Sequence, residues 1–69
     1  MTPAQCKAAR ALASLDSREL AARAMVSPDT LARFERGEEL KPRTVAALKS
    51  ALEAAGIEFL GDDGVRMRR

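Results

Sequence analysis

The sequence lacks histidine, tryptophan and tyrosine, and it contains one cysteine and two phenylalanines among 69 residues. Without histidine and with a single cysteine, it offers no metal-binding cluster and no intramolecular disulfide. Other catalytic signatures are also missing, because there is no glycine-rich phosphate loop and no pair of acids in an evident cleft. We therefore expect no enzymatic activity, no metal and no cofactor, and a core built from aliphatic side chains.

Long apolar runs are absent as well. No stretch approaches the ~20 residues of a membrane span, and Met1-Thr2-Pro3 lacks the basic start and apolar stretch of a signal peptide. The expected location is the cytoplasm, with no membrane partner. Sixty-nine residues predict one small domain near the lower size limit for independent folding, a size at which association is favourable.

The net charge is only +2, but the basic residues of the central region lie close together in sequence. They are Arg18, Arg23, Arg33, Arg36, Lys41 and Arg43. Such clustering is typical of a surface that binds a polyanion. The alternative is ordinary solvated helix surface, because charged residues fill most exposed positions of any small protein.

Two helix starts and one tight turn occur within residues 16–37. Asp16 and Glu19 form a capping box, in which each side chain satisfies a backbone amide at a helix start. Ser27 caps a second helix, and Pro28 occupies its first position, where a missing N–H costs nothing. Because only a short turn separates the two helices, they must cross sharply, and the second is available to a DNA groove.

Apolar periodicity extends this unit to four helices. They are predicted over about residues 3–15, 17–24, 28–36 and from 43 or 44 to 55, with a polar loop over 38–42. The inward stripe of the first helix is Cys6, Ala9, Arg10 and Ala13. A charge facing the core needs a partner, and Glu35 is the best-placed acid. We therefore expect an Arg10–Glu35 ion pair, and we expect Cys6 to be a buried, small apolar side chain.

The last thirteen residues change from the helical period to an alternating one. Residues 57–60 and 65–68 are predicted strands of a β-hairpin. A three-residue loop over 62–64, with Gly64 in the left-handed region, is expected between them. The expected partners are Phe59 with Met67 and Glu58 with Arg68.

One face of this hairpin collects its apolar side chains, which are Ile57, Phe59, Val65 and Met67. This face can be a lid that packs against Leu12 or Leu52, and the strand edge can pair with a second chain. We expect both roles together, and hence a homodimer. Residues 1–56 are predicted to form a helix-turn-helix bundle, and residues 57–69 a hairpin extension of the same domain.

Residues 6–52 resemble the phage-repressor-like helix-turn-helix family, also called the Cro/repressor or XRE family. The matching features are Arg10, the Asp16–Glu19 capping box, Leu20-Ala21, Val26-Ser27, Leu31 and the ending Phe34-Glu35-Arg36-Gly37. The resemblance implies a bundle of five or four helices. With the hairpin predicted from the sequence in place of a fifth helix, the expected fold is mainly α, a four-helix lambda-repressor-like bundle with a short C-terminal β-hairpin. The resemblance also implies a third helix that enters the major groove and a regulator that commonly binds as a dimer. In many members the residues matching Arg10 and Glu35 form a salt bridge.

The resemblance assigns roles by position. Base-reading residues are expected at Pro28, Asp29 and Arg33. Phosphate or groove-edge contacts are expected at Ser17, Arg18, Thr30, Arg36, Lys41 and Arg43. Arg33 suits its role because a forked guanidinium matches guanine O6 and N7. The alternative role of Arg33 is a surface ion pair with Asp29, four residues earlier. Two acids in the loop, Glu38 and Glu39, would face DNA unfavourably.

The expected function is that of a sequence-specific, DNA-binding transcription regulator of bacterial or phage type, acting as a repressor. Its partners would be double-stranded DNA and a second copy of the chain, without a small-molecule ligand. The alternative is a protein-interaction module, an adaptor or antitoxin-like partner that uses the same fold.

Overall fold

The computed structural model describes residues 1–68, so Arg69, the last residue of the predicted hairpin extension, lies outside the described residues. The helices are α1 (Pro3–Ala13), α2 (Ser17–Ala24), α3 (Pro28–Glu35) and α4 (Pro42–Ala54). Two strands follow, β1 (Ile57–Leu60) and β2 (Gly64–Met67). This is the mainly α helix-turn-helix bundle with a C-terminal hairpin that the sequence predicts. No helix within residues 1–68 is long and apolar enough to cross a membrane.

The first three helices begin at side-chain caps. Thr2 accepts from the backbone N–H of Gln5, and Asp16 accepts from that of Glu19. In both pairs the second side chain returns a bond to the first residue, so that α1 and α2 each start with a capping box. Ser27 caps α3 through its hydroxyl. These bonds satisfy amides that have no helical acceptor and thereby set where each helix begins.

Helix α4 begins earlier than predicted. We expected Pro42 to belong to the preceding loop, with the helix starting at Arg43 or Thr44, and this was wrong because Pro42 is the first residue of α4. Proline suits that position, since its ring fixes a helical φ and the first amide needs no helical acceptor. Lys41 is therefore the N-cap residue, and Arg43 lies in the first turn.

Two helices end at non-glycine residues with left-handed backbone. Ser14 follows α1 with φ 56°, and Met25 follows α2 with φ 59°. Helix α1 therefore ends at Ala13, two residues before its predicted end. Met25 occupies the turn of the helix-turn-helix with its side chain 91% exposed. Because this backbone region costs an L-residue about 1–2 kcal/mol, the turn is strained at Met25.

The core is aliphatic, as the composition predicts, and all four helices contribute to it. Its fully buried apolar side chains are Cys6, Ala9, Leu20, Ala21, Leu31, Leu48, Leu52 and Ile57. Of the two residues considered as cover for the hairpin, Leu52 is fully buried and Leu12 is 44% exposed. Leu52 is therefore the one that shares the core with Ile57.

The hairpin has a different register from the predicted one. The observed partners are Ile57 with Met67, Glu58 with Arg66, Phe59 with Val65 and Leu60 with Gly64. The predicted pairing of Phe59 with Met67, and of Glu58 with Arg68, is therefore wrong. Because the observed loop, residues 61–63, is as long as the predicted one, the apolar side chains still share one face.

Two glycines and a buried glutamine account for this register. The left-handed residue is Gly61, with φ 62°, and not Gly64. Gly64 instead pairs with Leu60 so closely that a Cβ would lie 2.9 Å from the Leu60 carbonyl oxygen. Gln5, which is 2% exposed, donates through Nε2 to the carbonyls of Gly61 at 3.0 Å and Gly64 at 3.1 Å. Helix α1 thus holds the hairpin at the first residue of its loop and at the first residue of β2.

The apolar face of the hairpin covers the bundle. Ile57 is fully buried, whereas Phe59 and Val65 pack against the core as partly buried side chains. Met67 remains 38% exposed. The strands contact α1 and α4. Residues 57–67 therefore share one hydrophobic core with the helices, which is the lid role expected for this face.

The left-handed turn at Met25 generates a stability prediction. Met25→Gly should raise the free energy of unfolding by roughly 0.5–1 kcal/mol, because glycine adopts this backbone region without a Cβ penalty. Urea unfolding followed by circular dichroism measures the change. The control is Ala22→Gly, at an exposed position within α2, which should lower the free energy of unfolding by about 1 kcal/mol. A loss of stability in both variants would contradict the strain assigned to Met25.

Candidate nucleic-acid interface

The orientation of α3 is set by an ion pair with α1. Nε and Nη2 of Arg10 each donate to one carboxylate oxygen of Glu35 at 2.9 Å. Nη1 of Arg10 also lies 3.4 Å from the Leu15 carbonyl, in the connection between α1 and α2. A bidentate pair fixes relative angle as well as distance. The predicted Arg10–Glu35 pair is therefore present, and it holds α1, the α1–α2 connection and α3 together.

This ion pair lies at the edge of the core. The side chains of Arg10 and Glu35 are 22% and 10% exposed. The hydrogen bond with Glu35 raises the pKa of Arg10 above its usual value. Burial, followed by the interaction with Glu35, raises the pKa of the Cys6 thiol to about 12. Cys6 is consequently protonated at neutral pH and has the inert character of a buried thiol.

The opposite face of α3 carries the predicted base-reading residues. Leu31 and Phe34 are buried, whereas Pro28, Asp29 and Arg33 are exposed. Residues four positions apart lie above one another on a helix, so Asp29 and Arg33 form one outward stripe. Helix α3 ends at Glu35, one residue before its predicted end. The structure thus brings the three predicted residues together on the exposed face of a short helix.

The residues predicted to contact phosphates divide into two groups. Arg18, Arg36, Lys41 and Arg43 are exposed cations, whereas Ser17 and Thr30 are partly buried hydroxyl residues in the first turns of α2 and α3. The Thr30 hydroxyl lies 2.8 Å from the Ser27 hydroxyl. It therefore takes part in the cap of its own helix.

Arg33 pairs with the loop acid Glu38. Its Nε donates to Glu38 Oε1 at 3.1 Å, and Nη2 of Arg36 donates to Oε2 at 3.3 Å. The hydrogen bond from Arg33, with the contribution of Arg36, lowers the pKa of the Glu38 carboxyl below its usual value. The alternative of a surface pair between Arg33 and Asp29 is not found within residues 1–68.

The roles of Gln5 and Glu38 were not predicted from the sequence. The capping role of Gln5 could have been predicted, because Thr2 and Gln5 have capping-box spacing. Its bonds to the hairpin depend on tertiary contacts and had no local signal. Glu38 was considered only as a charge opposed to DNA. Its pairing with the arginines follows from the way in which the chain reverses at Gly37, where φ is 102°.

The chain also matches a known family whose name describes the geometry of α2 and α3. The sequence profile of a helix-turn-helix family matches residues 7–58, from α1 into β1. The match covers most of the chain, so the protein belongs to the XRE-type, Cro/repressor-like helix-turn-helix family of DNA-binding regulators. Comparison with curated proteins gives no match. The loop of the hairpin and β2 lie beyond the region that the profile covers.

The partly buried ion pair between Arg10 and Glu35 generates a second prediction. Glu35→Ala should lower the free energy of unfolding by about 3 kcal/mol, because it leaves the Arg10 charge partly buried without its partner. Chemical denaturation at neutral pH measures this loss. Glu58→Ala, which removes an exposed pair with Arg66, is the control and should cost less than about 1 kcal/mol. Similar losses in the two variants would contradict a special role for the Arg10–Glu35 pair.

Proposed function

We propose that this protein is a sequence-specific DNA-binding transcription regulator that reads the major groove with α3 and acts as a repressor. The observation that carries the proposal is the exposed stripe of Asp29 and Arg33 on a helix whose inner side is held by the Arg10–Glu35 pair. An arginine at such a position can donate two hydrogen bonds to guanine O6 and N7. Asp29 can accept from a cytosine amino group, and Pro28 can touch a thymine methyl group.

The cations around α3 supply the part of the affinity that does not depend on sequence. Arg18, Arg36, Lys41 and Arg43 are exposed, and we assign them to phosphates or to the groove edge. Ser17 and Thr30 join them as hydroxyl donors in the first turns of two helices, where anions are favoured by the helix dipole. These contacts would place α3 in register, and its outward side chains would select the base pairs.

Repression is the role that needs the fewest additional features. A protein bound at a promoter excludes other proteins from the same DNA, so the DNA-binding surface alone is sufficient. Activation would also require a surface that recruits the transcription machinery.

Selection of bound sequences from a random duplex library tests the proposal directly. The selected pool should converge on a motif, and its retention in a mobility shift should weaken steeply as salt rises from about 50 to 200 mM. No retention of random or selected duplex at low salt would overturn DNA binding and would favour the protein-interaction alternative.

Two single substitutions separate base contacts from phosphate contacts. Arg33→Ala should reduce discrimination at one base pair by an amount corresponding to about 1–3 kcal/mol. Lys41→Ala should weaken binding to all sequences similarly. It should also reduce, by about one, the slope of the logarithm of the binding constant against the logarithm of the salt concentration. Repeating the selection with each variant measures both effects. An unchanged motif with Arg33→Ala would show that the base-reading face of α3 is misassigned.

We infer further that the DNA-bound form is a homodimer. Half-sites read by symmetric partners lie about 34–36 Å apart, whereas the longest dimension of the described chain is 30 Å. Each copy therefore presents one recognition helix to one half-site. The sheet within residues 1–68 has two strands, so each strand keeps one edge without a strand partner. A second copy is suited to such an edge, and each strand carries one exposed apolar side chain, Leu60 in β1 and Met67 in β2.

The dimer is tested by adding charge to the hairpin. Deletion of the hairpin would remove Ile57 from the core, so Leu60→Lys with Met67→Lys is the better variant. In the presence of a two-half-site duplex it should lower the mass of the complex measured by light scattering, and it should reduce affinity for that duplex more than for a single half-site. Leu12→Lys, at a similarly exposed leucine of α1, is the control and should leave the mass unchanged. A wild-type chain that stays monomeric with and without DNA would contradict the inference.

A further inference from the structure

We infer that Glu38 is a specificity-determining residue that positions Arg33 for its contact with a base. The inference rests on the proposed function, because it concerns how α3 reads the major groove. Its basis is the juxtaposition of one carboxylate with two arginines at the end of α3. Oε1 of Glu38 accepts from Nε of Arg33, and Oε2 accepts from Nη2 of Arg36.

The backbone brings Glu38 to this place. The Gly37 N–H donates to the Phe34 carbonyl at 2.9 Å, and the Glu38 N–H donates to the Arg33 carbonyl at 3.1 Å. This pair of bonds, with left-handed backbone at Gly37, is a Schellman motif. The motif turns the chain back against the last turn of the helix. The Glu38 carboxylate is therefore held beside Arg33 by ordered backbone.

The Arg33 atom that Glu38 engages determines which N–H donors of Arg33 remain available to a base. A guanidinium has five N–H donors, and a guanine fork can use both terminal amino groups. Glu38 takes the Nε donor of Arg33 and leaves Nη1 and Nη2 without hydrogen-bond partners among residues 1–68. An arginine held in this way loses less rotamer freedom when it binds. Glu38 thus orders the side chain and keeps its base-reading fork available.

The charge of Glu38 adds a second contribution to specificity. The carboxylate partly neutralises Arg33 and Arg36, which are 45% and 63% exposed, and it adds repulsion towards phosphates. Binding that uses only phosphates is therefore weakened. Binding at the correct guanine retains the fork of Arg33. Both effects increase the ratio of specific to non-specific affinity.

The experiment compares the selected duplex with one in which the guanine assigned to Arg33 is replaced, at one fixed salt concentration. Glu38→Ala should tighten binding to the replaced duplex and should lower discrimination between the two by about two- to fivefold, the range expected for an exposed charge-assisted pair. The control is Glu39→Ala, which removes the same charge from the next residue, also exposed and without an ion pair among residues 1–68. Glu39→Ala should tighten binding to both duplexes and leave the discrimination between them unchanged.

Two further variants distinguish positioning from charge. Glu38→Gln removes the charge but keeps an acceptor oxygen for Nε, so it should retain most of the discrimination. In an Arg33→Ala background, Glu38→Ala should have no additional effect at that base pair, because Glu38 acts through Arg33. An additive loss in the double variant would overturn the positioning role.

The remaining outcomes also decide the inference. If Glu38→Ala tightened binding to both duplexes equally, Glu38 would only compete with DNA for the arginines and would not be a positioning residue. If the wild-type chain did not discriminate between the duplexes, the proposed function would fail together with the inference. That failure is distinguishable because it appears before any variant is compared.

Discussion

The direction of helix α3 depends on an ion pair between residues 25 positions apart in sequence, Arg10 and Glu35. Helix α3 has 8 residues and is too short to be stable alone. Packing of Leu31 and Phe34 attaches it to the core, but apolar contact has little directional preference. The two parallel hydrogen bonds of the ion pair do fix an angle. Since desolvation offsets much of the stability that even a partly buried pair provides, its main contribution here is geometric.

Helix α3 is restrained at both ends. Ser27 and Pro28 define its start, and the Schellman motif at Gly37 defines its end. The last turn is also flanked by two acid–arginine arrangements, Glu35 with Arg10 on the core side and Glu38 with Arg33 and Arg36 on the solvent side. The inner arrangement orients the helix, and the outer one acts on side chains that can face DNA. Preorganisation of this kind reduces the entropy lost on binding.

Features that depend on near neighbours in sequence were predictable. The Asp16–Glu19 box and the Ser27 cap each involve residues three positions apart, and the charge of Arg10 within an apolar stripe required a buried acid. The hairpin register was not predictable in this way, because Gly61 and Gly64 both suit a turn. The choice between them depends on Gln5, which is 56 and 59 residues away in sequence. Pro42 was ambiguous because proline is favoured both in turns and at the first position of a helix. The pairing of Glu38 likewise required the reversal at Gly37.

The use of the hairpin as a lid limits how two copies could associate. Its apolar face already packs on the bundle, so a second copy would rely chiefly on the backbone edge of a strand of 4 residues and on a few exposed side chains. Such a contact would be weak in solution. Two adjacent half-sites would hold two copies at high effective concentration, which makes a weak contact sufficient on DNA. Assembly would then depend on sequence recognition by both copies, so the small hairpin would increase specificity without any contact to a base.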